Sequence, residues 1–178
     1  FGAGDTDKLR NELSTLLVAG TVFSTAIAVL GIIFAYPLLR AMNVPSAIID
    51  ITALYIRVVF IGAPFAYFYN ALSQALKSVG DSKTPLKFLM FSSILNCVSD
   101  LLLIGYLGFG IMCSAVTTVA AEMVSAFLCF AYIHARVPML SLRPRDIRVD
   151  GSLLKTTLSY GSVTALQQAC QPVGKLLI

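Results

Sequence analysis

Asn96 and Asp100 stand four residues apart in the segment LMFSSILNCVSDLLLIGYLG, and Asp100 is the sole charge among the thirty-four residues from Phe88 to Ala121. On a helix that spacing puts both side chains on one face. A carboxylate at the centre of a membrane costs about 2.5–3.5 kcal/mol on insertion scales, so it faces protein or water and is neutralised by a proton or a cation. An amide carbonyl and a carboxylate together offer the oxygens that a hard cation prefers. The chemistry to expect is reversible binding of a proton or of an ion such as sodium.

Other polar side chains sit at comparable heights. At about 1.5 Å per helical residue, Asp100 lies roughly 8 Å and Asn96 roughly 13 Å from the end of their helix, and Tyr55 and Thr118 lie roughly 10–13 Å down theirs. Taken singly, Tyr55 and Thr118 read as readily as packing residues, because helix contacts in membranes favour small polar side chains. Glu122 falls one turn after Thr118 and is expected either to line a cavity or to pair across helices. Gln167, Gln171 and Lys175 repeat every fourth residue beside Pro172, a stripe that could face a substrate cavity or pack on neighbouring helices. Arg57 is expected to snorkel or to pair with a carboxylate. Cys97, Cys113, Cys129 and Cys170 show no paired or CxxC spacing and read as small buried hydrophobes. Beyond sodium at Asp100, no metal site is expected; the one histidine, His134, stands at a helix end beside Arg136.

Only membrane-spanning helices can carry this pattern. The chain is 57% hydrophobic and 12% charged, and it holds uncharged runs over 13–39, 58–76 and 101–121, each near the length of about 20 residues that a spanning helix needs. Five helices are expected: 8–39, 46–78 with a kink near Gly62 and Pro64, a third from Pro85 to about Gly105 with Thr84 as its cap, 111–135, and one from Ser152 onward. Phe1 is not an initiator methionine and Ile178 falls inside an apolar segment, so the sequence reads as part of a larger membrane protein. Ten of the lysines and arginines lie in the stretches 1–10, 77–87 and 136–155, against Arg40 alone on the opposite side. That asymmetry makes those three stretches cytoplasmic. It also accounts for the net charge of +4 without a nucleic-acid partner.

The run YIRVVFIGAPFAYFYNALSQALKSVGDSKTPL, the run NCVSDLLLI and the segment AVTTVAAE resemble the MATE (multidrug and toxic compound extrusion) transporters, as does the FGAGD start. The resemblance covers nearly the whole chain, and GxPF…YN, G-D-x-x-T-P and N-x-x-x-D are its most specific parts. It implies an all-α, polytopic integral membrane protein with five of the twelve helices of a two-lobe transporter. Residues 1–135 would be part of the amino-terminal lobe, 136–151 a basic inter-lobe linker, and 152–178 the first helix of the carboxy-terminal lobe. It further implies antiport: amphipathic, usually cationic compounds leave in exchange for protons or sodium, by alternating access. Asp100 and Asn96 would bind the coupling ion, with Tyr55 and Thr118 lining the same cavity.

The expected partners are therefore a small amphipathic substrate, the lipid of a plasma membrane and the remaining helices of the polypeptide, with no nucleic acid and no cofactor other than the coupling ion. No HExxH, GxSxG or P-loop pattern appears, and Gly2-Ala3-Gly4-Asp5 opens a charged loop rather than a catalytic helix, so no enzyme is expected. The alternatives are a flippase for lipid-linked sugars in the same wider superfamily, and a channel or non-transporting scaffold in which Asp100 is a structural hydrogen-bond acceptor.

Overall fold

The computed structural model describes residues 6–141 and residue 151. It contains α1 (Thr6–Ala41), α2 (Ser46–Ser78), α3 (Lys83–Asp100) running directly into a π-helical turn (Leu101–Tyr106), and α4 (Met112–Arg136). All four helices are long and apolar enough to cross a membrane. Among the described residues there is no strand, and the protein is an all-α integral membrane protein. The fifth expected helix, with Gln167, Gln171 and Lys175, lies outside the described residues, as does most of the expected linker.

α2 packs against both α1 and α4, and α3 packs chiefly on α4, so the spatial order is α1, α2, α4, α3. One end of this row carries the basic residues Arg10, Lys77, Lys83, Lys87 and Arg136. The larger core lies there: Leu13 and Leu17 of α1, Tyr69, Leu72 and Leu76 of α2, Cys129 and Ile133 of α4, and Leu140 beyond it. At the opposite end only Leu39, Ile49 and Ala53 form a buried cluster. Large apolar side chains such as Phe23, Phe34 and Phe127 point outward, as lipid contact requires.

The turns show why the chain reverses where it does. After α1, the Asn43 amide donates to the Arg40 carbonyl and the Val44 amide to the Leu39 carbonyl, with Asn43 at φ 56°. After α2, the Gly80 amide donates to the Lys77 carbonyl and the Asp81 amide to the Leu76 carbonyl, with Gly80 at φ 94°. Both are Schellman endings, which need a left-handed residue and recruit asparagine or glycine for it.

α3 begins differently from the expectation. Thr84 does not cap it; instead the Thr84 amide donates to Asp81 Oδ1 at 3.0 Å, and α3 starts at Lys83. The longer reach of the aspartate side chain, two residues before the helix, satisfies an amide that a threonine inside the first turn cannot. Tyr132 of α4 donates its hydroxyl to Asp81 Oδ2 at 3.1 Å. Gly80 and Asp81 thus end α2, start α3 and tie both to α4.

The Thr84 hydrogen bonds hold the Asp81 carboxyl below its ordinary pKa, assisted by Tyr132. A depressed folded pKa gives stability that is fully present above the unfolded value, near 4, and is lost as pH falls through the folded one. Asp81→Ala should lower the thermal midpoint in detergent by the loss of a cap, about 0.5–2 kcal/mol. The wild-type excess should vanish in strong acid, and an unchanged midpoint at neutral pH would remove this role.

Glycines set the spacing of α1 and α2. A methyl group on Gly20 would fall inside the Tyr67 phenol, and one on Gly31 inside the Phe60 ring. The Tyr67 hydroxyl crosses this contact to donate to the Leu16 carbonyl at 2.8 Å. Among the described residues no carboxylate pairs with Arg57; its Nε donates to the Ile32 carbonyl of α1 at 3.2 Å. Pro37 lies inside α1 and has no amide to offer the Ile33 carbonyl, next to the one that Arg57 reaches. α2 continues through Gly62 and Pro64 without ending.

Candidate cation-binding site

α3 and α4 run antiparallel, so successive turns of one meet successive turns of the other in reverse order. Asn96 of α3 faces Thr118 of α4, with Asn96 Nδ2 donating to Thr118 Oγ1 at 3.5 Å, the long limit of a hydrogen bond. One turn further along α3, Asp100 faces the preceding turn of α4. Ser114 donates its hydroxyl to Asp100 Oδ2 at 3.1 Å, and the Thr117 hydroxyl donates to Asp100 Oδ1.

The Thr117 hydroxyl also lies 3.0 Å from the Cys113 and Ser114 carbonyls, yet it has one hydrogen to give. The charged carboxylate is the stronger acceptor. Among the described residues no cation pairs with Asp100. Two neutral hydroxyls therefore orient the carboxylate without cancelling its charge, and each can rotate its hydrogen away when a proton or metal ion arrives. The π-helical turn begins at the next residue, and the Leu107 amide reaches back five residues to the Leu102 carbonyl at 2.9 Å. Such wide turns recur at functional sites because they change the register of the helix locally.

Asn96, Thr118 and Glu122 line one open-sided cavity of about 280 Å³ between α2, α3 and α4. Asn70 stands exposed at its mouth, and Ser92 and Ser125 are buried against its wall. Tyr55 is half-buried on α2 and is not part of this lining. The structure thus brings Asn96 to Thr118, sets Asp100 on the adjoining turn and adds Glu122 to the cavity, whose lining includes neither Asp100 nor Tyr55.

Ser114 and Thr117 were not singled out from the sequence. Their signal was the run Ser114, Thr117, Thr118, whose three- and four-residue spacing marks one face of α4. Which of two adjacent threonines meets the carboxylate depends on how α4 is rotated against α3. The cysteines divide as well: Cys129 is buried as expected, Cys97 is exposed and Cys113 intermediate, all three unpaired, and Cys170 lies outside the described residues.

Four spanning helices holding an unpaired carboxylate within one of them define an integral membrane protein with an internal polar site. Residues 1–102 match the MatE family, and the chain belongs to that family. The match takes in both Asn96 and Asp100.

The chain is similar to the probable multidrug resistance protein YoeA of Bacillus subtilis, 31% identical over 168 residues that cover 90% of this chain and 36% of the relative. It is also similar to the probable multidrug resistance protein YpnP of the same organism, 30% identical over 162 residues with the same two coverages. The multidrug export protein MepA of Staphylococcus saprophyticus is 19% identical over 178 residues, covering 100% of this chain and 40% of the relative. The chain spans between a third and two fifths of the length of these curated relatives. No solved structure matches it.

Proposed function

We propose that the polypeptide carrying this sequence is a secondary active antiporter that exports amphipathic, chiefly cationic compounds in exchange for protons or sodium. The observation that carries this reading is the Asp100 carboxylate, held by Ser114 and Thr117 inside a spanning helix with no counter-charge among the described residues. Membership of the MatE family and the printed names of the relatives support export as the activity.

In this reading an ionised Asp100 takes up a proton or sodium ion from one side of the membrane. Neutralisation lowers the desolvation cost of closing the polar face between α3 and α4, which biases the protein toward its other orientation. A cationic substrate and the coupling ion compete for the same negative potential, so uptake of one favours release of the other. Residues 1–135 belong to the first lobe and 152–178 to the second, with Gln167, Gln171, Lys175 and Glu122 facing substrate and Tyr55 near the ion path. The stretches 1–10, 77–87 and 136–155 face the cytoplasm, the membrane is the plasma membrane, and no covalent chemistry is performed.

The test is efflux of a fluorescent cationic dye from proteoliposomes holding the whole polypeptide, under imposed proton and sodium gradients. Efflux that follows one gradient supports antiport. Dye movement indifferent to both gradients would sink it in favour of a channel, and no movement would favour a flippase for lipid-linked substrates.

A further inference from the structure

Glu122 sits one turn from Thr118 on the side away from Asp100, and no hydrogen bond or ion pair reaches its carboxylate among the described residues. Its position is fixed from behind: a methyl group on Gly62 of α2 would collide with Glu122 Oε2, so the glycine is what lets the carboxylate lie against α2. Among the described residues, Glu122 is the only charged one lining the 280 Å³ cavity.

Several neighbouring polar groups each give a hydrogen elsewhere. Asn70 Nδ2 donates to the Ala66 carbonyl at 2.8 Å, Asn96 Nδ2 to Thr118, the Ser125 hydroxyl to the Ala121 carbonyl at 2.9 Å, and the Tyr69 hydroxyl to the Pro85 carbonyl at 2.8 Å. Each asparagine keeps a second N–H, and the acceptors that remain toward the cavity are the two amide carbonyls, hydroxyl lone pairs and the Glu122 carboxylate. Ser93, exposed, also lines the cavity, and Ser92, 2% exposed, has an Oγ with no hydrogen-bond partner among the described residues. Buried hydroxyls are ordinarily satisfied, and an orphan on a cavity wall marks a place where something else supplies the partner.

An oxygen-rich, singly negative cavity in a spanning region suits a hard monovalent cation. The volume exceeds what a bare ion needs and leaves room for waters at about 30 Å³ each. We propose that Glu122, Ser92 and Asn70 form a second cation site, distinct from Asp100, that binds sodium with part of its hydration shell. The site does not require Asp100 to be the coupling residue, so its test stands apart from transport.

The measurement is equilibrium binding of radiolabelled sodium to the purified whole polypeptide in detergent, at fixed pH and with choline as the balancing cation. Glu122→Gln should lose one bound sodium per polypeptide relative to wild type, while Asp100→Asn leaves that sodium in place. Ser92→Ala guards against a folding artefact. Deleting an orphaned hydroxyl should leave the sodium-free protein as stable as wild type or more so, yet it should shrink the rise in thermal midpoint that sodium produces by mass action. Unchanged sodium stoichiometry in a folded Glu122→Gln protein would overturn the proposal. So would a wild type that binds no sodium, or a Ser92→Ala protein whose midpoint responds to sodium as wild type does.

Discussion

Asp100→Asn should abolish the ability of an ion gradient to hold a dye concentration difference across the membrane. One-for-one exchange of a cationic dye for a proton or sodium moves no net charge, so the dye ratio at steady state follows the ion ratio, and a tenfold ion gradient, worth about 1.4 kcal/mol, sustains a dye ratio of about ten. Asparagine is permanently neutral and takes up neither proton nor sodium, so the ratio should fall to about one. The substitution also separates the competing roles of this residue. Asparagine keeps a carbonyl oxygen that can accept from Ser114 or Thr117. If Asp100 were only a structural acceptor, the variant would fold and the gradient response would survive. A steady-state ratio equal to wild type would therefore move coupling away from this residue. Ser114→Ala together with Thr117→Val should leave some coupling but change the ion concentration at which it half-saturates, because both orienting donors are gone while the charge remains.

Gly20→Val and Gly31→Val should each destabilise the protein by about 1–3 kcal/mol, the usual range for overpacking a tight contact. The reason is geometric. At Gly20 the added carbon would occupy the position of the Tyr67 phenol, and at Gly31 that of the Phe60 ring. Relief requires α1 and α2 to separate or the rings to leave. At Gly20 the second route also breaks the Tyr67 bond to the Leu16 carbonyl, a further loss of about 1 kcal/mol. Thermal unfolding in detergent would read both effects. Tyr67→Phe combined with Gly20→Val should not restore wild-type stability, because the added carbon meets Cζ and Cε1 of the ring as well as the hydroxyl. A Gly20→Val protein that melts with wild type would show that this contact does not set the helix separation.

The spans were legible because apolar run length is a one-dimensional signal. Ser46–Ser78 has the expected limits, with Pro45 before it and a left-handed Gly80 after it, and Met112–Arg136 differs by one residue at each end. The register between helices was not legible. Sequence placed Asn96, Asp100 and Thr118 at similar depths, but hydropathy does not tell which side of α4 turns toward α3, and Ser114 and Thr117 escaped for that reason.

Local readings failed where a longer-range partner supplied the missing interaction. Thr84 has the composition of a cap, yet Asp81 can reach both the Thr84 amide and Tyr132, and the second contact decides the matter. Gly62 reads as part of a kink beside Pro64, and the structure adds that its lack of a side chain makes room for Glu122, sixty residues later in the chain. Arg57 found a backbone carbonyl, an acceptor that no scan for carboxylates would propose.

The unequal cores have a mechanical consequence. The basic end is pinned by the larger cluster, by Asp81, and by Arg10, whose guanidinium donates to the Pro138 and Met139 carbonyls at 2.8 and 3.2 Å. The far end has the smaller cluster of Leu39, Ile49 and Ala53, with Tyr36, Val44 and Ile56 packed on it, and the Asp100 bonds to Ser114 and Thr117. Were these helices to tilt, the better-packed basic end would be the pivot. A helix of 33 residues such as α2 is roughly 50 Å long, so a tilt of roughly 5° about the pivot carries its free tip roughly 4 Å, close to the width of a side chain, while atoms beside the pivot scarcely travel.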